Sequence, residues 1–320
     1  MKHFFLIIFL ILPGIIFSQD SLHTNNGLLI DSIITVTSLR ETVTFLSSDS
    51  LKGRLTGQKG ATEAANFIAA KFYKTGLQPF AGNENYFSYF STTVNKKKVS
   101  GINVVGALSP RVPNDTIVIF SAHYDHIGQG NDIGFNVNYN KKDKIYNGAN
   151  DNATGVAALI ELAKYYTARD DNRYRLLFVA FSGEELGMKG SEDFVKHINL
   201  NLVKAVINFD MLGRSANGKC YIICAPGISF VKELNNRLNM NVHEGGKKFF
   251  EEDHYYQEEL FYRSDHYPFA EQVKRCFTIM ATSPMDEYYH GVNDEINTID
   301  FQFLLHTTKN IALACEFFIY

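Results

Sequence analysis

Between Phe178 and Gly190 the chain reads FVAFSGEELGMKG: an apolar run, a Ser-Gly turn, then two adjacent acids, Glu184 and Glu185. The layout recurs. TIVIFSA (116–122) leads into His123, Asp125 and His126, and KAVINFDML (204–212) carries Asp210 near its end. RCFTIMA (275–281) precedes a segment ending in His290, and NGANDNATG sets Asp151 and Asn152 just ahead of a helical pattern. Carboxylates gathered this closely repel one another and raise their own pKa values unless a positive charge cancels theirs. A divalent cation does so. Imidazoles mixed with carboxylates suit zinc, whereas an all-oxygen set favours calcium or magnesium. Two histidines and three acids exceed what one tetrahedral zinc with an open position uses. They suit two zincs roughly 3.5–4 Å apart that share a carboxylate.

Each motif alone has an ordinary reading. Adjacent glutamates commonly open a helix, where the macrodipole favours them, and DNATG is a usual turn and helix cap. His197 and His306 stand apart from any such motif and read as surface or structural histidines. Coincidence at strand ends is what points to a metal site.

The elements that must position these residues follow from periodicity. Residues 62–74 repeat apolar side chains at helical spacing and stop before Gly76; further helical patterns run over 155–168 and 190–198. Between them lie continuous apolar runs at 116–122, 175–182 and 204–212, with 220–225 and 275–281 adding strands. Continuous apolar strands alternating with helices predict a largely parallel sheet covered on both faces. In such sheets ligands gather beyond the carboxyl ends of the strands, where the acids and imidazoles fall.

A chain of 320 residues, 45% hydrophobic and 20% charged, is long enough for a large core. Its net charge of −3 offers no basic field for nucleic acid, and Lys96-Lys97-Lys98 reads as a solvated turn between strands. Lys2, the apolar run Phe4–Phe17 and the polar Ser18-Gln19-Asp20 form the pattern of a signal peptide over residues 1–18, cleaved after Ser18. That run is 14 residues, short of the roughly 20 a spanning helix needs. The expectation is an exported protein, periplasmic or extracellular, with residues 19–320 as one catalytic domain and no membrane span. Cys220, Cys224, Cys276 and Cys315 are too few and too scattered for a disulfide framework and read as buried small hydrophobes.

As a set, His123-Tyr124-Asp125, NGANDNATG, FSGEELG, NFDMLGR and YYHGVNDE stand in the order and approximate spacing of a known family. The chain resembles the secreted di-zinc aminopeptidases of metallopeptidase family twenty-eight, of the aminopeptidase Y type. LKGRLTGQKGATEAANFIAAKFYKTGLQPF (51–80) looks like that family's helical lead-in, a region taken as 31–80, so the likeness spans nearly all of the mature chain. It implies an α/β fold, a three-layer α/β/α sandwich with a mixed, largely parallel central sheet. It also implies two Zn2+ per chain, with Asp151 bridging, His123 and Asp210 completing one site, and Glu185 and His290 the other. Glu184 matches the general base, Asp125 the carboxylate that orients a ligand imidazole, and Tyr289 a phenol that polarises the scissile carbonyl. The substrates implied are peptides with a free N-terminus.

One segment departs from the compact members of that family. Here 28 positions separate His123 from Asp151, and residues 127–146 read as an inserted surface loop beside the site. His126 opens it and fits the ligand motif less well than His123. A glutaminyl cyclase shares the strand-end arrangement, but usually has Ser in place of Asn152 and Trp in place of Tyr289. Receptor-like relatives lack ligands that this chain retains, and carboxypeptidase or dipeptidase activity is a further variant. Side-chain preference is open. The stretch HYYQEELFYRSDHYPFA (254–270), with Asp265 and His266, either lines a pocket or packs the core, and Arg214 either holds a substrate carboxylate or pairs with a local acid.

Overall fold

The continuous apolar runs become the buried centre of a sheet. In the computed structural model, which describes residues 28–80, 84–130, 132, 143–225, 231–240, 248–253, 256–282 and 285–320, these are β4 (Ile117–His123), β5 (Arg175–Phe181), β6 (Val203–Asp210) and β9 (Cys276–Met280). They lie side by side and parallel in the order β5-β4-β6-β9. Antiparallel strands extend both sides. β3 (Lys97–Leu108) pairs with β5 and carries β1 (Gln78–Pro79) and β2 (Phe87–Val94). β7 (Cys220–Cys224) pairs antiparallel with β9 and carries β8 (Phe250–Glu252) in parallel.

Alternate side chains of each central strand enter opposite layers, as the two-residue period requires. Val118, Phe120 and Ala122 of β4 join the main core beneath α1 (Val36–Leu46), α2 (Lys59–Thr75), α3 (Gly155–Arg169) and α6 (Phe301–Ala314). Ile117 and Ile119 face the other layer, with Phe181, Phe194 and Phe269. Each such buried side chain contributes about 1.5–3 kcal/mol. Between α3 and α6 in sequence lie α4 (Lys189–Phe194) and α5 (Val231–Met240), and α7 (Glu316–Ile319) ends the chain. The result is the expected α/β/α sandwich with a mixed sheet, parallel across its four central strands and between β7 and β8.

Several boundaries differ from expectation. The helix read at 190–198 is only α4, and the chain beyond it turns toward Asn199, whose side chain accepts the Asn201 N–H. The lysine run is not wholly a turn. Asn95 and Lys96 have positive φ and make the hairpin bend, while Lys97 and Lys98 begin β3. All four cysteines are free thiols, with Cys224 only half-buried. Among the described residues no helix is long and apolar enough to cross a membrane. Residues 1–27, with the expected signal peptide, and most of the 127–146 loop lie outside the described residues.

Candidate functional site

The carboxyl ends of the four parallel strands converge. His123 ends β4, Asp210 ends β6, and Glu184 and Glu185 follow β5 across Ser182-Gly183. His290 comes from the segment after β9. Asp151 sits in the irregular turn Ala149–Thr154 that precedes α3, and the Asp151–Asn152 peptide is cis. The turn is entered through Gly148 at φ +57°, where a Cβ would stand 2.3 Å from the Asp151 carbonyl oxygen and 2.6 Å from the His126 ring. Only glycine fits that conformation and that space.

The side chains form two groups that share Asp151. In the first, His123 Nε2 lies 3.3 Å from Asp151 Oδ1 and 3.5 Å from Asp210 Oδ1. In the second, His290 Nε2 lies 3.3 Å from Asp151 Oδ2 and 3.1 Å from Glu185 Oε2, and His126 also falls within reach, its Nδ1 2.9 Å from Glu185 Oε1. Ligand atoms held 2.0–2.1 Å from a tetrahedral zinc stand roughly 3.3 Å apart. The observed spacings match that edge, and the nitrogen and oxygen donors suit zinc. Asp210 Oδ1 is buried without a hydrogen bond, as an oxygen waiting for an ion would be. Asp151 turns one carboxylate oxygen to each group, so the five residues read as ligands are brought together.

Charge follows from this crowding. Burial opposes a proton on His123, yet Glu184 nearby and the close carboxylates of Asp151 and Asp210 hold its pKa well above the usual imidazole range. Burial likewise opposes a proton on His290, but Glu185 and Asp151 raise it to about 11. Burial works to raise Asp151 and Glu185, and the imidazoles prevail: hydrogen bonds from His123 and His290 hold Asp151 well below the carboxylate range, and His290 foremost draws Glu185 down to about 2. For Glu184 the imidazole of His123 also pulls downward but does not prevail. Burial first, then the neighbouring carboxylates Glu185, Asp265 and Asp210, push it well above its usual value. Without metal, protonated imidazoles supply the missing positive charge.

Supports beneath the groups include residues with no signal of their own in the sequence. Asp294 is fully buried and accepts the backbone N–H of Asn150 at 3.1 Å and of Asp151 at 3.0 Å, tying down the turn that carries the shared carboxylate. Arg214 pairs with Asp294 at 2.9 Å and grips Asp286 through two nitrogens at 3.1 and 2.9 Å. Of its two readings, the local-acid pairing is the one observed. The Arg54 guanidinium, wholly buried, donates to the carbonyls of Leu46, Tyr124, Asn147 and Gly148. Asn152 Oδ1 accepts from Gly155 and Met211 N–H at 3.0 and 3.1 Å, locking α3 to the end of β6.

Asp125 lies beside His123, but its backbone carbonyl is the nearer group, 3.2 Å from Nδ1, while its carboxylate stands at 3.8 Å. That carboxylate accepts the Glu184 N–H at 3.2 Å and the Thr56 hydroxyl at 2.9 Å. It therefore holds the backbone of Glu184 while standing beside the imidazole it is expected to orient. Asp265 and His266 are buried behind the site: Asp265 accepts from Ser191 Oγ at 2.5 Å and is raised by burial to about 7, and His266 Nδ1 meets Thr278 Oγ1 at 2.7 Å. The core reading holds for both. The same stretch still supplies Leu260, Arg263 and Ser264 to a cleft of about 30 Å³ over the first group, which Glu184, Met211 and Met280 also line. Tyr289 borders it, stacked on His290 with ring centroids 3.9 Å apart and its hydroxyl 3.3 Å from Arg263 Nη2. On the far side of Glu185 a cavity of about 530 Å³ opens between Thr56, Lys97 and Leu186.

Comparison with known proteins agrees with this layout. Aminopeptidase YwaD of Bacillus subtilis (strain 168) is 26% identical over 215 residues, which cover 62% of this chain and 40% of that protein. The chain thus spans less than half the length of this relative. The structure of BSAP, a zinc aminopeptidase from Bacillus subtilis, superposes with a TM-score of 0.68 at 16% identity, covering 89% of this chain and 95% of that one. A glutaminyl cyclase from Porphyromonas gingivalis superposes with a TM-score of 0.69 at 16% identity, covering 90% and 99%. At such identities the superpositions speak to the fold alone. A model of peptidase family M28 matches residues 103–315, which take in every member of both ligand groups, and the chain belongs to that family.

Proposed function

We propose that the chain is an exported two-zinc peptidase that removes N-terminal residues from peptides. One observation carries the reading: Asp151 presents Oδ1 to the His123 group and Oδ2 to the His290 group, so that a single carboxylate joins two adjacent donor sets. Family membership and the aminopeptidase relative support hydrolysis of peptide bonds as the chemistry. Zinc, when bound, supplies a Lewis acid for the scissile carbonyl and lowers the pKa of water toward neutrality.

The chain's own residues account for the rest. Glu184 lines the cleft, is not part of either donor set, and sits where burial and negative neighbours favour a proton on its carboxylate. It takes a proton from the attacking water and delivers it to the leaving amine. Asp125 holds the Glu184 backbone in place. Tyr289 keeps its phenolic proton, since burial foremost and the nearby Asp151 and Glu185 raise its pKa, and it can donate that proton in a hydrogen bond to the substrate carbonyl. The cleft beside the first group, walled by Leu260, Met211 and Met280, is where the terminal residue of the peptide approaches.

The test is hydrolysis of a panel of aminoacyl anilides before zinc removal, after it, and after restoration, run beside a glutaminyl-peptide cyclisation assay. Zinc-dependent release of the anilide supports the proposal. Cyclisation without anilide release would replace it with the cyclase reading.

A further inference from the structure

His126 has no ligand role in the expected set, yet it is fully buried and its Nδ1 falls within the second donor group, beside Asp151, Glu185 and His290. Its Nδ1 lies 2.9 Å from Glu185 Oε1, while the other oxygen, Oε2, faces His290 Nε2 at 3.1 Å. The same Nδ1 is 3.9 Å from Asp151 Oδ2. The ring is wedged in place. It meets His290 edge-on at 5.6 Å and packs on Gly148, where any Cβ would stand 2.6 Å from its Cγ and Cδ2.

Two observations separate a hydrogen-bonding from a ligating role. The 2.9 Å contact is at the mode for an N–H···O bond, and it is shorter than the roughly 3.3 Å edge between two ligands of one tetrahedral zinc. Second, Nε2 is buried with no hydrogen-bond partner. A proton there would leave a buried donor unmet and turn the Nδ1 lone pair onto a carboxylate oxygen. A ring proton at Nδ1, facing Glu185 Oε1, avoids both faults.

We propose that His126 is a positioning residue for the second metal group: its Nδ1–H holds Glu185 Oε1, leaving Oε2 turned toward His290 and Asp151 as the single ligating oxygen. The inference rests on the two-zinc reading. Hydrogen bonds to ligating carboxylates typically carry a 10- to 100-fold share of metal affinity. His126 would thus set the second group's hold on zinc without touching the first.

Two variants test this, His126→Leu, which has no donor, and His126→Asn, whose amide N–H comes close to the place of Nδ1–H. Zinc is titrated into each metal-free protein against a chromogenic chelator, and K-edge absorption of the zinc-loaded forms counts imidazoles per metal. The expected result is that His126→Leu keeps one zinc at wild-type affinity and holds the second about 10- to 100-fold more weakly. His126→Asn recovers part of that loss, with about one imidazole per zinc in both it and the wild type, from His123 and His290 alone. Wild-type affinity for both zincs in His126→Leu would overturn the proposal. So would about one and a half imidazoles per zinc in the wild type, which would make His126 a ligand. A purely structural role would instead lower the melting temperature of both metal-free variants while leaving the second zinc as tight as in the wild type. A wild-type chain that takes up only one zinc would refute the two-metal reading itself, independently of either variant.

Discussion

Glu184 and Glu185 are neighbours in the chain and strangers in the site. Glu185 points into the second donor group between His126 and His290, while Glu184 lines the cleft with its backbone N–H on Asp125. Replacing Glu184 with Gln removes a base and no ligand. Zinc content should stay at two per chain while kcat falls about a hundred- to ten-thousand-fold, and a variant that keeps its turnover would sink the base assignment. Protons and metal compete for the imidazoles. His290 in the metal-free protein is raised to about 11, so near neutral pH it carries a proton that zinc must displace. Apparent zinc affinity should therefore rise with pH below that value, up to roughly tenfold per unit for each proton released. Calorimetry in buffers of different ionisation enthalpy would count those protons, and an affinity independent of pH would contradict the picture.

The strand ends place the ligands, but connecting turns aim them. The shared carboxylate depends on a turn clamped from outside by Asp294, through the backbone of Asn150 and Asp151, and from beneath by Arg54, through the carbonyls of Asn147 and Gly148. Arg54 keeps its charge even though burial lowers its pKa to about 10, because Asp151, Asp294 and Asp125 lie near it. Arg54→Met would strand those carbonyls and remove a buried cation from a set of carboxylates, at a cost of about 3–5 kcal/mol. Urea denaturation of the metal-free protein measures it, and an unchanged midpoint would show that the guanidinium is dispensable. Long apolar elements were the most legible: the pattern over 155–168 becomes Gly155–Arg169, and the run 175–182 becomes Arg175–Phe181. The hairpin of β2 and β3 was less so, since β2 buries only Phe90 fully and leaves no apolar run to read. Arg54 and Asp294 fall inside the quoted LKGRLTG and YYHGVNDE segments, but their roles were not legible. An arginine or an acid in a loop has no distinguishing pattern until the fold buries it against partners far along the chain.

At the scale of the whole molecule, binding zinc to the folded chain alone stabilises it by mass action. Free zinc at a thousand times Kd contributes about 4 kcal/mol, so chelation should lower Tm by roughly 5–10 °C. Calorimetry with and without chelator checks this, and coincident melts would argue against two resident metals. Export is argued from Lys2 and the apolar run that follows it. Mass spectrometry of the secreted protein should find Gln19 at its N-terminus, and a chain retained inside the cell with Met1 would refute it. By itself the sequence determined which segments become apolar strands and helices, and that metal-type side chains lie at or beyond the ends of the central strands, because periodicity and residue chemistry are local. Only the tertiary structure decided which oxygen meets which imidazole. It placed the Asp125 carboxylate on the Glu184 N–H as well as beside His123, Arg214 on local acids, and His126 against Glu185. Those pairings depend on side-chain direction and burial, which arise when distant segments pack into one sheet edge.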